Sequence, residues 1–308
     1  MLNNSKLFLK IKNKPEIISK LTFNDVINVI ETSRSIFRRE SLIQNIKLLE
    51  NEKACIIGDI HGNLESLKYL LSIIEENKPK HVIFLGDIVD RGPYQLECLV
   101  LVLIYKILNP SNYIILRGNH ETEEMNKYYG FYHVVLEKFG DPEKFDRLKM
   151  LYDDLPTCAI INDEVLCVHG GIPHDINGLK YLKEKNVNQM DIKKDPKANK
   201  IIFEMMWNDP KEGLKGFSHS YRGEGIYFFG EEVFEEFLKI NGLKYVIRSH
   251  ECFSEGYRWF FGGKLLSIFS SANYRGYFSP NPLSYAIVTS KEIISKNVFL
   301  KDINHAFF

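Results

Sequence analysis

The chain has 308 residues, of which 44% are hydrophobic, enough to bury one large core or two modest ones. Its 40 acidic and 40 basic side chains cancel to a formal net charge of zero, which weighs against nucleic-acid binding, where a basic excess or stripe is usual. The longest apolar stretch, LVLVLIY from Leu99 to Tyr105, is far too short to cross a bilayer, so no membrane association is expected.

In chain order, MLNNSKLFLKIKNK has only short apolar patches broken by lysines and carries no secretory pattern. Phe23, Val26, Ile27 and Ile30 then recur at helical spacing, with Thr22 as N-cap and Asp25 in the first turn; a helix to about Phe37 follows. Five short apolar runs come next, each ending at a metal-capable side chain. ACIIGD ends at Asp59, VIFLGD at Asp87, YIILRGNH at Asn119 and His120, VLCVHGG at His169, and YVIRSH at His250. Such runs mark strands buried on both faces. Roughly 30 residues separate Asp59 from Asp87 and Asp87 from Asn119, the length of one strand–helix–strand crossover. LESLKYLLSIIEE and QLECLVLVLIYKIL supply the helices. Parallel strands bring their carboxyl ends to one sheet edge, where ligands of α/β folds bind.

The polar, lysine-rich NVNQMDIKKDPKANK, residues 186–200, is read as a solvated excursion. Past His250, GYRWFF, LLSIF and LSYAIV alternate like antiparallel strands of a second or mixed sheet. The architecture predicted is α/β, a mixed β-sandwich flanked by helices on both sides. The five cysteines (Cys55, Cys98, Cys158, Cys167, Cys252) form no CxxC pair and sit mostly in apolar runs, as small buried hydrophobes of a reducing, cytoplasmic setting.

The strand endings suggest one chemistry. In extended backbone Asp59 and His61 point to the same side and grip one cation together. Asp87 joins them and bridges to a second ion, completed by Asn119, His169 and His250. Mixed oxygen and nitrogen donors without thiolate suit Mn, Fe or Zn better than Mg or Ca. Any one of these residues alone is better read as a turn former or an ordinary histidine, as His81, His133, His174, His219 and His305 are. Six in one structural context make the case.

GDIHG, GDIVDRG, RGNHE and HGG, in this order and spacing, resemble the phosphoprotein phosphatases, metal-dependent serine/threonine phosphatases of the calcineurin-like metallophosphoesterase superfamily. NKYYGFYHVVLEKFG, MMWNDP, the Arg222–Gly223 pair before FFGEEVFEEFL, RSHECFSEGYRWF and SSANYRG look like the protein phosphatases in particular. The resemblance covers about Thr22 to Thr289. It implies a calcineurin-like fold; on the element pattern, residues 1–50 are read as a helical leader packed on the body and 51–308 as a single catalytic domain. Two divalent metal ions are implied, Mn²⁺ foremost with Fe or Zn possible. Asp59, His61 and Asp87 would hold the first, and Asp87, Asn119, His169 and His250 the second. His120 becomes the proton donor to the leaving oxygen, oriented by Asp90, while Arg91 and Arg222 bind phosphoryl oxygens. The implied reaction is direct attack of a dimetal-bridging hydroxide on phosphoserine or phosphothreonine in phosphoprotein or phosphopeptide substrates, with regulatory subunits as possible partners. Trp207, Tyr129 and Met125 match positions lining a groove beside the family's site, or else are packed core. Ala272 stands where the family commonly has Pro, and Arg275 where type-1 and type-2A enzymes carry Cys. The chain ends soon after the last strand, leaving no room for a calmodulin-binding or autoinhibitory tail. Two rivals remain: a nucleotide hydrolase such as a diadenosine tetraphosphatase, and a catalytically dead binding module.

Overall fold

The computed structural model describes residues 2–185, 194–276 and 278–300. Its helices in chain order are α1 (Leu2–Asn13), α2 (Phe23–Phe37), α3 (Leu64–Asn77), α4 (Gln95–Leu108), α5 (Glu123–Tyr129), α6 (Phe131–Phe139), α7 (Pro142–Lys149), α8 (Gly178–Lys185), α9 (Pro196–Trp207) and α10 (Glu231–Asn241). The strands are β1 (Ile43–Ile46), β2 (Lys53–Ile57), β3 (His81–Phe84), β4 (Tyr113–Ile115), β5 (Cys158–Ile161), β6 (Val165–Val168), β7 (Asp209–Pro210), β8 (Phe217–His219), β9 (Tyr227–Phe229), β10 (Tyr245–Arg248), β11 (Tyr257–Phe260), β12 (Leu265–Ile268), β13 (Leu283–Thr289) and β14 (Ile293–Val298).

One sheet runs β14-β13-β2-β3-β4, a second β1-β5-β6-β10-β12-β11, and a small third β7-β9-β8. The crossovers β2–α3–β3–α4–β4 give parallel pairs, as the spacing required. In the second sheet β6, β10 and β12 are also parallel.

Alternation along the strands builds three cores. Ala54, Ile56, Ile83 and Leu85 face Ala159, Cys167, Ile247 and Leu266 between the two large sheets. Their neighbours Cys55, Ile57, Val82 and Phe84 turn outward onto α4 and the N-terminal helices. On the other side Leu166, Val168 and Val246 pack against Met205 of α9 and Phe234 and Phe237 of α10. A two-sheet sandwich between helical layers results, because each strand has apolar side chains on both faces.

The capping box at Thr22 and Asp25 is present, with each side chain accepting the other's backbone N–H. Residues 1–50 hold helices packed on α4 and also β1, which pairs in parallel with β5. Residues 186–193 of the expected solvated excursion lie outside the described residues. Its remainder is largely solvent-facing, as expected, but from Pro196 onward it is helix. Asp195 accepts from the N–H groups of Lys197 and Ala198, Pro196 occupies the first turn, and α9 buries Ala198. The lysines obscured an N-cap followed by an N1 proline.

Candidate metal centre and active site

The loops after β2, β3 and β4 interlock over the carboxyl edge. The N–H groups of Ile60 and His61 both donate to the Asp87 carbonyl, at 3.0 and 2.9 Å, and Gly62 donates to Ile88. Close approach demands glycine here: a Cβ on Gly86 would lie 2.3 Å from the Gly118 nitrogen. The extended geometry expected for Asp59–His61 is replaced by a left-handed turn, with His61 at φ 48°. Asn119 and His120 sit in a turn beyond β4. Asp87, Asp90, Arg91 and His250 also take positive φ, at 53°, 68°, 73° and 74°. Non-glycine residues pay strain there, and its concentration at one edge marks a site whose side chains are aimed by surrounding contacts.

Those contacts gather all six proposed ligands. His61 Nε2 lies 3.5 Å from Asp59 Oδ2 and 3.6 Å from Asp87 Oδ2. Asp87 Oδ2 lies 3.3 Å from His169 Nε2, which is 2.8 Å from Asn119 Oδ1 and 3.2 Å from His250 Nδ1. Two compact donor sets therefore share Asp87: His61, Asp87 and His120, and Asp87, His169 and His250. His120 enters the first set geometrically, although its Nε2 stays 4.0 Å from Asp87 Oδ2. The imidazoles are oriented for this. His61 Nδ1 donates to the Val89 carbonyl and His169 Nδ1 to that of Leu85, which turns each Nε2 toward the centre.

The residues fit a pair of cations. Asp59 Oδ1 accepts from Ser249 Oγ at 2.5 Å and from the His250 N–H at 3.1 Å, whereas its buried Oδ2 has no hydrogen-bond partner. An orphaned carboxylate oxygen facing an imidazole nitrogen is costly unless something positive takes it up. Charge is already strongly organised. Burial pulls the His61 imidazole down, but Asp59 and Asp87 outweigh it and raise its pKa to about 9. Burial opposes ionisation of Asp87 too, yet His169, His120 and His61 hold its carboxyl far below the usual range. Burial, with Arg222, His169 and Arg248 nearby, pushes His250 well down and keeps it neutral, as a ligand must be.

Beside this floor, His120 Nδ1 meets Asp90 Oδ2 at 2.8 Å. Asn126 Nδ2 donates to the same oxygen and to the His120 carbonyl, Phe131 N–H donates to Asp90 Oδ1, and Tyr152 donates to Asn126 Oδ1. Glu121 accepts from three backbone N–H groups, those of Asp87, Ile88 and Gly118, at 2.8–2.9 Å. Burial, then Asp87, raise its pKa to about 7. Arg91 stacks its guanidinium 3.6 Å above the Tyr129 ring, and Arg222 is held by Asp209 Oδ2 at 2.6 Å. Both line a cavity of about 480 Å³ together with His120, His250, Tyr129 and Trp207. Met125 is half-buried and does not line it.

Sequence reading missed Asn126, Tyr152, Ser249 and Asp209. Asp209 lies within MMWNDP, Asn126 opens NKYYGFYHVVLEKFG and Ser249 lies within RSHECFSEGYRWF, so their motifs were visible though not their roles; Tyr152 had no local signal. Of the histidines read as ordinary, His174 packs on Phe217 and Tyr227, and His219 on Tyr227, while His305 lies outside the described residues. The cysteines among the described residues are free. No helix among them is long and apolar enough to cross a membrane.

Residues 53–253 match the model of the calcineurin-like phosphoesterase family. The chain is 37% identical over 219 residues to the serine/threonine-protein phosphatase 4 catalytic subunits of Kluyveromyces lactis and Candida glabrata, an alignment spanning 71% of this chain and 69% of each relative. It is also similar to a protein serine/threonine phosphatase from Saccharomyces cerevisiae, itself described as similar to human phosphatase PP5. That structure superposes with a TM-score of 0.79 at 28% identity, covering 91% of this chain and 90% of that one. The chain belongs to the calcineurin-like phosphoesterase family and, within it, to the phosphoprotein phosphatase branch of serine/threonine phosphatases.

Proposed function

We propose that this site hydrolyses phosphoserine and phosphothreonine in proteins, using two divalent cations held by Asp59, His61 and Asp87 and by Asp87, Asn119, His169 and His250. The observation that carries it is Asp87 Oδ2, which lies 3.6 Å from an imidazole of the first sheet's loops and 3.3 Å from one of the second sheet. Mixed oxygen and nitrogen donors suit Mn²⁺, Fe or Zn. Bound cations would supply an activated water and neutralise phosphoryl charge.

The chain's own groups do the rest. Arg91 and Arg222 offer guanidinium forks to the phosphoryl oxygens, whose charge spreads as the bond to the leaving oxygen breaks. His120 gives a proton to that serine or threonine oxygen, so that phosphate and a free hydroxyl leave. Asp90 takes the opposite ring N–H and fixes which nitrogen faces the substrate. Water adds to phosphorus, and no side-chain nucleophile is required. The neutral chain and its free cysteines suit cytoplasmic phosphoproteins. The relatives are named catalytic subunits, which supports regulatory subunits as partners here.

Elemental analysis coupled to a phosphothreonine-peptide assay, with and without added Mn²⁺, tests the proposal. Two ions per chain and metal-dependent phosphate release are expected. Preference for a dinucleoside polyphosphate over the peptide would overturn the substrate class, and absence of both metal and phosphatase activity would leave a binding module.

A further inference from the structure

We propose that Arg275 makes the enzyme favour substrates carrying a second anionic side chain, carboxylate or phosphate, beside the reacting residue; the inference rests on the protein-phosphatase reading above. Four guanidinium groups line the cavity: Arg91, Arg222, Arg258 and Arg275. Arg222 is matched by Asp209, and Arg258 by Glu255 at 2.7 Å. Arg91 lies on the Tyr129 ring, in place for the phosphoryl group. Arg275 has a different standing. Its Nη2 donates to the Cys252 carbonyl, and no carboxylate of the described residues pairs with it.

The cavity's own acids do not cancel it. Asp87 belongs to the cation floor, and Glu251 is paired with Arg248 at 2.9 Å. Arg275 is also exposed, so a substrate can reach it at little desolvation cost. Its loop is nevertheless anchored. Asn63 Nδ2 donates to the Ala272 carbonyl, Asn273 N–H donates to Asn281, and the Tyr274 ring stacks on His61 at 5.2 Å between ring centres. A phosphate seated on the floor thus faces an anchored, unmatched guanidinium on the rim of the same cavity. The chemistry that satisfies it is an oxyanion one or two residues from the phosphoserine, where a planar fork binds two oxygens at once.

Matched phosphoserine peptides test this, each with Ala, Glu, Lys or the non-hydrolysable phosphonate mimic of phosphoserine at the neighbouring positions. For the wild-type enzyme kcat/KM should rise by about two- to fivefold from Ala to Glu or phosphonate, the scale of a well-formed ion pair at a solvated rim, and fall for Lys. Arg275→Ala should flatten the series, and Arg275→Glu should invert it. Thermal melting and metal content at the wild-type level certify the folding of both variants, and p-nitrophenyl phosphate, which has no neighbouring residue, gives the reference rate to which each variant's peptide series is scaled. A gain with phosphonate alone would identify the dianion as the recognised group. A preference that survives Arg275→Ala, or a flat wild-type series, overturns the inference and leaves the phosphatase reading intact. Failure to release phosphate from any peptide overturns both.

Discussion

Asp90 Oδ2 receives His120 Nδ1 at 2.8 Å and Asn126 Nδ2 at 3.0 Å, so one buried carboxylate oxygen fixes a ring that lines the cavity and is itself fixed from behind. A positioned general acid contributes about 10²–10⁴ in rate, and a poor leaving group needs it most. His120→Asn should therefore depress kcat on a phosphoserine peptide by about that factor. The loss on p-nitrophenyl phosphate, whose phenolate leaves without a proton, should be much smaller. Asp90→Asn should follow the same pattern with a smaller loss. Equal losses on both substrates would remove His120 from the acid role.

Asp87 is the one carboxylate common to both donor sets. Its Oδ1 also accepts the His120 N–H at 2.9 Å, so the amide in Asp87→Asn retains a carbonyl for that bond while losing the charge at the centre. Metal content measured by elemental analysis should fall for both ions together, and a thermal shift on adding Mn²⁺ should shrink. Normal occupancy of two ions would show that Asp87 does not bridge them.

Asp209 is wholly buried between Arg222 and Arg248, at 2.6 Å from each. Arg222→Leu should weaken inhibition by inorganic phosphate and raise KM for a phosphopeptide by about tenfold, the scale of one charge-assisted contact. Asp209→Asn should give a similar but smaller KM effect by freeing the Arg222 fork, at the added expense of stability. An unchanged phosphate inhibition constant in Arg222→Leu would place Arg222 outside the phosphate site.

Far from the centre, Lys106 is fully buried, donating to the Pro110 and Tyr113 carbonyls and pairing with Glu40. Burial disfavours charge on both partners, raising Glu40 and lowering Lys106. Lys106→Met should cost about 2 kcal/mol by urea denaturation, below the 3–5 typical of fully buried pairs because Glu40 keeps 17% of its side chain exposed. The double variant with Glu40→Leu should recover most of that. A carboxyl raised in the folded state binds protons more tightly there than when unfolded. Wild-type stability relative to the double variant should therefore fall as pH climbs upward from about 4.5, the usual value. A double variant no more stable than Lys106→Met alone would contradict this account.

Local order explains what was legible without coordinates. The parallel crossovers followed from strand-length apolar runs and the spacing between Asp59, Asp87 and Asn119, because a βαβ unit admits few lengths. The helix from Phe23 to Phe37 followed from Thr22 and Asp25, since a capping box acts across three residues. The convergence of Asp59, His61, Asp87, Asn119, His169 and His250 was readable because strands buried on both faces must deliver their ends to an edge.

Nonlocal contacts decided the remainder. The left-handed turns at His61, Asp87 and His250 are held by hydrogen bonds from neighbouring loops; Asp and His tolerate that φ better than most residues, but residue type alone does not single out which of them adopt it. Asn126 and Tyr152 reach the Asp90–His120 pair only through packing of α5 and the turn beyond α7 against the sheet edge. Composition could state that charges balance overall, but which guanidinium lacks a carboxylate depends on who stands within a few ångströms of whom. Periodicity and spacing act along the chain and can be read there; partnership acts through space, and only the folded arrangement assigns it.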